Sequence, residues 1–593
     1  MCGIVGARHD WLVATGRDPA MAMRDAVAAL AWRGPDGQGV VRAGDWWLGC
    51  ARLAIGPARS KQPVVRRGGR FVGVMNGAIT NARELWAHFL PGVERRAELP
   101  NDAWLPLLAV ERGEDQILGR LRGHHAFAVV DTQTGQLITG RDWYGEKPLL
   151  QALENLNGSR CLVAFASSPT ALRLVGGAPP FVPGRLPEWF RFGWMRRKEP
   201  WLAGATPQGL VQLGFARRIK PEVADLRTAL LASVARCSDT RVPVALSLSG
   251  GLDSSCLAVA LHANGKRVPA YQLRAAGAPA TEREAARAIA ARTRLDLRPV
   301  DIDQQALAAL PFLTACAGLP LGDPSILLVH ALARAAAADG IRVLLSGEGA
   351  DELFLGYRRY RALARLPHAT WLRALAPRWS MRYGARMVRA ITAPDPATAL
   401  LAVTPPAFGS HVLAPDLAAR RCWRDEARSP VRPGQDPVLA ARDADLDGYL
   451  RFDLLPKIDV ACMAAGVEAR APFLEGDCRW FGQDRTALGK RPLREAFAND
   501  LPPEVLRLPK TGFALPLDRW FRGELPWLDL LREPTTCNRP HLRPGGVARA
   551  IDLHRSGKVD LGHALYLLVA YETWLRSPAG NTDSVRTGAH DHS

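Results

Sequence analysis

A chain of 593 residues is too long for one hydrophobic core, so two or more domains are expected. With 48% hydrophobic and 23% charged residues a disordered chain is excluded, and no uncharged apolar run is long enough to cross a bilayer. The formal charge of +19 is carried mostly by Arg scattered among Ala, Leu and Pro, without a Lys/Arg block, which fits a compositional bias and no nucleic-acid partner. Ten Cys lack any Cys-x-x-Cys pair, which argues against a zinc site or a disulfide framework. The start, Met1-Cys-Gly-Ile-Val-Gly6, lacks the basic and apolar regions of a secretory leader, so a reducing cytoplasm is the expected compartment.

In chain order, the first signal is Cys2. Met1 precedes a small residue and its removal is expected, leaving a thiol and a free α-amine on one residue, and that amine can activate the nucleophile without a His. Gly3 and Gly6 predict open space for a ligand beside the thiol. Arg33-Gly-Pro-Asp36 reads as a turn, and Ala51 to Ile55 places Arg52 in a short strand. Phe71 to Met75 reads as a strand ending in an Asn76-Gly77 turn. Asn101-Asp102 precedes a helical stretch. Gly123 to Asp131 reads as a strand, followed after a turn by Gly140-Arg-Asp-Trp-Tyr-Gly-Glu-Lys-Pro-Leu149. Short strands between turns predict a sheet-rich α+β domain.

These segments (Cys2-Gly-Ile-Val-Gly, Arg33-Gly-Pro-Asp, Arg52-Leu-Ala-Ile, Asn76-Gly, Arg141-Asp and Gly145-Glu-Lys-Pro-Leu) resemble the class II glutamine amidotransferase domain, from residue 2 to about residue 170. The resemblance implies the N-terminal-nucleophile (Ntn) hydrolase fold and hydrolysis of glutamine by Cys2. It also implies an oxyanion hole from Asn76 and Gly77, with Arg52 on the glutamine carboxylate and Asp102 on its ammonium. Where the family shows Asn-Gly-Glu-Ile-Tyr-Asn this chain has Ala78 and Thr80, and the missing Glu implies weaker glutamine binding.

A Gly/Pro/Trp-rich connection without periodicity, residues 191–220, separates domains expected at 2–190 and 221–576. A helix is predicted from Pro221 to Arg236. The strand Val242 to Leu246 then leads into Ser247-Leu-Ser-Gly-Gly-Leu-Asp-Ser-Ser255 and the apolar run from Cys256. A strand, a glycine loop and a helix make a phosphate cradle: Gly250 and Gly251 admit an anion, while Ser249, Ser254, Ser255 and the helix N–H groups donate to it. Asp253 inside that cradle fits a Mg²⁺ bridge to the phosphate oxygens. Strands at 268–273, 295–300 and 341–345 alternate with helices at 281–292 and 326–338, predicting a parallel sheet covered on both faces. The last strand runs into Ser346-Gly-Glu-Gly-Ala-Asp351, acidic residues at a strand's carboxyl end. Leu455 to Asp459, Gly466 to Glu475 and Leu508 to Phe513 follow, each compatible alone with surface packing.

Together these resemble the synthetase domain of glutamine-dependent asparagine synthetases over about residues 220–525. The implied fold is an adenine-nucleotide alpha-hydrolase-like (PP-loop ATP pyrophosphatase) domain. The implied reaction activates a carboxylate, expected to be aspartate's, with ATP and Mg²⁺, and gives the acyl-adenylate to ammonia. By resemblance Leu248, Leu273, Ser346 and Gly347 line the nucleotide site with the cradle residues, and Lys510 lies near the phosphates. Asp253 and Asp351 bind the metal, Glu348 is the catalytic carboxylate, and a homodimer is implied. Relatives that cyclise or amidate other acids remain an alternative, supported by Val460 and Cys462 where relatives commonly show Arg and Ser. Two intact nucleotide loops argue against a non-catalytic scaffold. The polar tail 577–593 is expected to be disordered.

Overall fold

The computed structural model describes residues 2–55, 61–91, 100–156, 159–176, 205–207, 225–275, 280–365, 412, 436–508 and 515–577. Lys510 and all but the first residue of the predicted tail lie outside them.

The first half stacks two antiparallel sheets. One is six-stranded and contains β1 (Cys2–Arg8), β2 (Gly37–Ala43), β3 (Trp46–Arg52), β8 (Leu150–Leu156), β9 (Ser159–Ala166) and β10 (Ala205–Pro207), in the order β10-β8-β9-β1-β3-β2. The second holds β4 (Val64–Arg66), β5 (Phe71–Ile79), β6 (Gly123–Asp131) and β7 (Gln136–Arg141), side by side in that order. Helices Pro19–Ala28 and Pro169–Leu174 cover the outer face of the first sheet, and Ala82–Phe89 and Trp104–Glu111 that of the second.

The period of two decides which residues meet. In β5, Phe71 and Met75 point to the helices while Val72 and Val74 point between the sheets, where Ile4, Leu48 and Phe165 also pack. The same parity carries Asn76, Cys2 and Cys50 into the layer between sheets. Sequence alone places a turn at Asn76-Gly77; the structure corrects this. The strand runs through to Ile79 with Gly77 paired to His125. Gly77 takes φ +112°, and a Cβ there would lie 2.0 Å from the His124 carbonyl oxygen. A second correction concerns Gly3 and Gly6: the space beside them is filled by Leu30 and Phe165, so they serve packing and leave no ligand cavity. In the expected connection, Ala205–Pro207 adds an edge strand to β8.

The second half is built on five parallel strands, β11 (Val244–Ser247), β12 (Pro269–Ala275), β13 (Asp296–Ile302), β14 (Val343–Leu345) and β15 (Glu468–Arg470), ordered β13-β12-β11-β14-β15. Leu226–Ser238, Leu252–Ala263 and Ala280–Thr293 cover one face; Ser325–Ala338 and Leu455–Met463 cover the other. The predicted helix at Pro221 is described only from Leu226, capped by Asp225 accepting from the Thr228 N–H. Winding proceeds outward from β11 to β13 and then resumes at β14 on the other side of β11. The loops after β11 and β14 therefore diverge at a topological switch point, the place where open parallel sheets leave a crevice. A C-terminal layer, ending in the buried helix Gly562–Arg576, packs against Leu310–Ala317.

The domains meet through buried charge. Arg33 of the predicted turn pairs with Asp459 at 2.7 Å, both almost without exposure, and Lys147 reaches the same carboxylate at 3.5 Å. His124 on β6 contacts Glu468 on β15 at 2.7 Å, and Arg470 also binds Glu468, at 2.6 Å. Thr80 and Arg236 both donate to Glu475. Removing one member of such a buried pair costs about 3–5 kcal/mol, so this network fixes how the two halves sit. Surface packing is thus the wrong reading for Lys457, Asp459, Glu468, Arg470 and Glu475, all of which are buried.

Candidate active sites

At the first centre, Cys2 begins the central strand β1, opposite Arg52 on β3. Its N–H donates to Asn76 Oδ1 at 3.1 Å across the gap between sheets. With that oxygen engaged, Asn76 Nδ2 is left buried and without a partner, a donor aimed at the layer that holds the thiol. An unpaired buried donor is costly unless something meets it, and an oxyanion would. Asp102 Oδ2 accepts the Ile79 N–H at 2.9 Å, so it also braces the strand that carries Asn76 and Gly77.

Two residues beside Cys2 carry no signal legible in the sequence. Gln62 clamps the strand by donating to the Met75 carbonyl at 3.1 Å and accepting its N–H at 2.7 Å, and its Nε2 lies 3.5 Å from Cys2 Sγ. Cys50 pairs with Ile4, which puts it diagonal to Cys2 on the same face. Its thiol hydrogen-bonds the Cys2 sulfur and lowers the Cys2 thiol to about 6 against burial, which pushes it up. The same hydrogen bond, with burial, drives Cys50 well above its ordinary range. Cys2 is therefore the thiol that ionises first.

At the second centre, Leu248 to Gly251 follow β11 and Ser346 to Gly349 follow β14, so the loops face each other: a Cβ on Gly347 would sit 3.0 Å from that of Asp253. Gly250 takes φ +87° and packs its backbone against Glu282, where a Cβ would meet the carbonyl oxygen at 2.4 Å. Ser249 Oγ lies 3.0 Å from Ser254 Oγ and accepts the Gly251 N–H at 3.2 Å, which fixes the loop. Ser255 Oγ is buried and unpartnered. Leu248 is core, held by its N–H to the Tyr271 carbonyl at 2.9 Å, and Leu273 is half-buried on β12. Ser346 N–H donates to the Arg470 carbonyl at 2.9 Å, and Glu348 N–H lies 3.5 Å from Ser346 Oγ.

Asp253 and Asp351 converge. What holds them is Lys490, whose Nζ lies 2.5 Å from Asp253 Oδ2 and 2.7 Å from Asp351 Oδ1. The sequence marks Lys490 only by its place after Gly489; the structure gives it a left-handed φ of 62° immediately before the helix Arg491–Ala496. Asp253 Oδ1 remains buried without a hydrogen-bond partner. Two carboxylates with one open oxygen beside a phosphate cradle suit a Mg²⁺ that completes its shell with phosphate and water.

A narrow cavity lies at the domain boundary, walled by Glu146 and Lys147 from the first half and by Ser346, Ile458, Asp459 and Ala471 from the second. Burial, then neighbouring Asp142, pushes the Glu146 carboxyl well above the usual carboxylate range.

No helix among the described residues is long and apolar enough to cross a membrane. Residues 1–196 match the glutamine amidotransferase domain family and residues 225–576 the asparagine synthase family. A Mycobacterium tuberculosis protein named "Putative asparagine synthetase (glutamine-hydrolyzing)" is 29% identical, with 97% of each chain covered. "Asparagine synthetase (glutamine-hydrolyzing) 1" of Bacillus subtilis is 24% identical over 97% of this chain and 96% of its own. The chain belongs to the asparagine synthase family, with a glutamine amidotransferase domain preceding the synthase domain.

Proposed function

We propose that this chain makes asparagine from aspartate, ATP and glutamine, the first domain being an Ntn hydrolase and the second a PP-loop ATP pyrophosphatase. The observation that carries the reading is the interdomain cavity, whose walls come from both halves and which reaches Ser346 of the nucleotide loop. A hollow shared by both domains beside the nucleotide loop is what a small product of the first domain would need to serve as reagent in the second.

In the first domain the Cys2 thiolate attacks the side-chain carbonyl carbon of glutamine. Asn76 Nδ2 and the Gly77 N–H donate to the oxygen as it becomes charged. Arg52 and Asp102 hold the two ends of the amino acid. As the C–N bond breaks, the leaving nitrogen takes a proton from the Cys2 α-ammonium and departs as ammonia; water then cleaves the thioester to glutamate, its proton returning to the amine. Ammonia stays a nucleophile only while unprotonated, so its path between the domains must keep bulk water out.

In the second domain the β-carboxylate of aspartate attacks the α-phosphorus of ATP. Ser249, Gly250, Gly251, Ser254 and Ser255 receive the departing pyrophosphate, with Lys490 supplying positive charge beside them. Mg²⁺, held by Asp253 and Asp351, would offset the phosphate charge. Ammonia then attacks the acyl carbon, Glu348 takes a proton from the nitrogen, and AMP leaves. A variant Glu348→Gln is expected to keep glutamine hydrolysis and lose amide formation; normal asparagine synthesis by it would overturn the assignment.

A second reading, amidation of a different carboxylate, is favoured by Val460, which is buried in an apolar cluster where relatives commonly carry Arg. Retention of Cys2 with its Asn76 partner weighs against relatives that cyclise without ammonia.

A further inference from the structure

Cys2 shares the layer between the two sheets with a second thiol that the hydrolytic mechanism does not consume. Strands β1 and β3 run antiparallel with Cys2 opposite Arg52 and Ile4 opposite Cys50, so the two cysteines lie diagonally on one face of the sheet. Both belong to one buried cluster, and their sulfurs are in hydrogen-bond contact. Diagonal neighbours on such a pair stand about 7 Å apart, the outer limit of what a disulfide spans. Cys2 is the first residue of β1, so closing the remainder moves a strand end and not the middle of a ladder.

The surroundings decide which sulfur reacts and with what. Cys2 is 5% exposed and Cys50 1%, which suits a small oxidant at Cys2 and shuts out a bulky thiol such as glutathione. Gln62 Nε2, 3.5 Å from Cys2 Sγ, is a donor for a thiolate there. Cys50 keeps its proton, driven up by its contact with Cys2 and by burial, so it is the partner and Cys2 the target. Other described cysteines are badly placed to compete: Cys161 lies past Ala164, the residue opposite Ala7, toward the other end of β1, and the rest belong to the second half.

We propose that Cys2 and Cys50 form a peroxide-sensitive pair, in which a hydroperoxide oxidises Cys2 and Cys50 captures the product as a reversible disulfide. The Cys2 thiolate attacks the terminal peroxide oxygen, the O–O bond breaks, and Cys2 becomes a sulfenic acid; the departing alkoxide or hydroxide takes a proton from solvent. The Cys50 sulfur then attacks the sulfenic sulfur. An S–S bond forms as the S–O bond breaks, and hydroxide leaves with the Cys50 proton as water. The two sulfurs thus give two electrons to the peroxide, and a dithiol reductant returns them. The bond ties up the nucleophile, so glutamine hydrolysis stops while the second domain, which holds neither cysteine, still accepts free ammonium. That consequence rests on the reaction proposed above; the bond itself does not.

The test treats the full chain with hydrogen peroxide, blocks the remaining thiols with iodoacetamide in denaturant, and maps the tryptic peptides. Cleavage after Arg leaves Cys2 in residues 2–8 and Cys50 in residues 43–52. The two peptides are expected joined, lighter by two hydrogens than their sum. Glutamine hydrolysis should be lost in step with the joined peptide and should return with dithiothreitol. In Cys50→Ser the same dose should leave Cys2 carrying two or three oxygens, a loss that dithiothreitol does not reverse. Wild-type Cys2 left untouched or oxidised without the joined peptide, a bond from Cys2 to a different cysteine, or recovery of Cys50→Ser equal to wild type overturns the pair. Joined peptides in a chain that never hydrolyses glutamine sustain the pair and overturn the proposed reaction instead.

Discussion

Replacing Cys50 by Ala removes the hydrogen bond that keeps the nucleophile ionised. With a thiol at about 6, Cys2 is roughly 90% thiolate at pH 7; at the ordinary value near 8.5 it would be about 3%. The reactive fraction thus falls up to about 30-fold, because burial, which pushes the thiol up, is no longer opposed by its largest counterweight. The sign follows: wild-type glutamine hydrolysis should rise as pH passes upward through about 6 and then level, whereas the Cys50→Ala profile should still be rising at pH 8. Above about pH 9 the two should converge, since both are then mostly ionised. Cys50→Ser keeps an O–H donor and should retain most of the wild-type profile. The pH dependence of iodoacetamide capture at Cys2 reads ionisation without turnover. A Cys50→Ala variant whose capture midpoint remains near 6 would refute the reasoning.

Two further outcomes are expected. Lys490→Met, which leaves Asp253 and Asp351 without the cation between them, should lower pyrophosphate release by about 100-fold or more while sparing glutamine hydrolysis; a coupled phosphate assay with both readouts checks it. His124 is lowered by burial to about 4, so the unfolded chain takes up a proton below about 6.5 that the native one does not. Stability should therefore fall by about 3 kcal/mol as pH drops from 6.5 to 4, and His124→Gln should flatten that slope in urea unfolding.

Local pattern made much of this legible before any coordinates. The strand Gly123–Asp131 is read with the bounds it has, because alternation and glycine punctuation agree there. The loops after β11 and β14 declare themselves through glycine and hydroxyl spacing, and the switch point only sets them face to face. The misreadings share one cause. Asn76-Gly77 has turn chemistry, yet pairing with β6 on the way to Ile79 overrides it. Lys457, Asp459 and Glu468 look like surface charges because their partners, Asp323, Arg33 and His124, lie more than a hundred residues away. Cys50 and Gln62 gain meaning only from strand register and from a clamp on Met75, neither of which has a local signature. Lys490 is the same case in the second domain.

The central claim is that nitrogen freed at Cys2 in the first domain reaches an acid adenylated in the second, at the loop beginning with Ser346. The direct measurement uses glutamine labelled with ¹⁵N in its side-chain amide, with aspartate, ATP, Mg²⁺ and an excess of unlabelled ammonium in solution. Mass spectrometry of the product should find asparagine carrying mostly ¹⁵N, formed with one pyrophosphate per amide. Asparagine labelled only in proportion to the ammonium pool, or pyrophosphate release without labelled asparagine, would contradict the account.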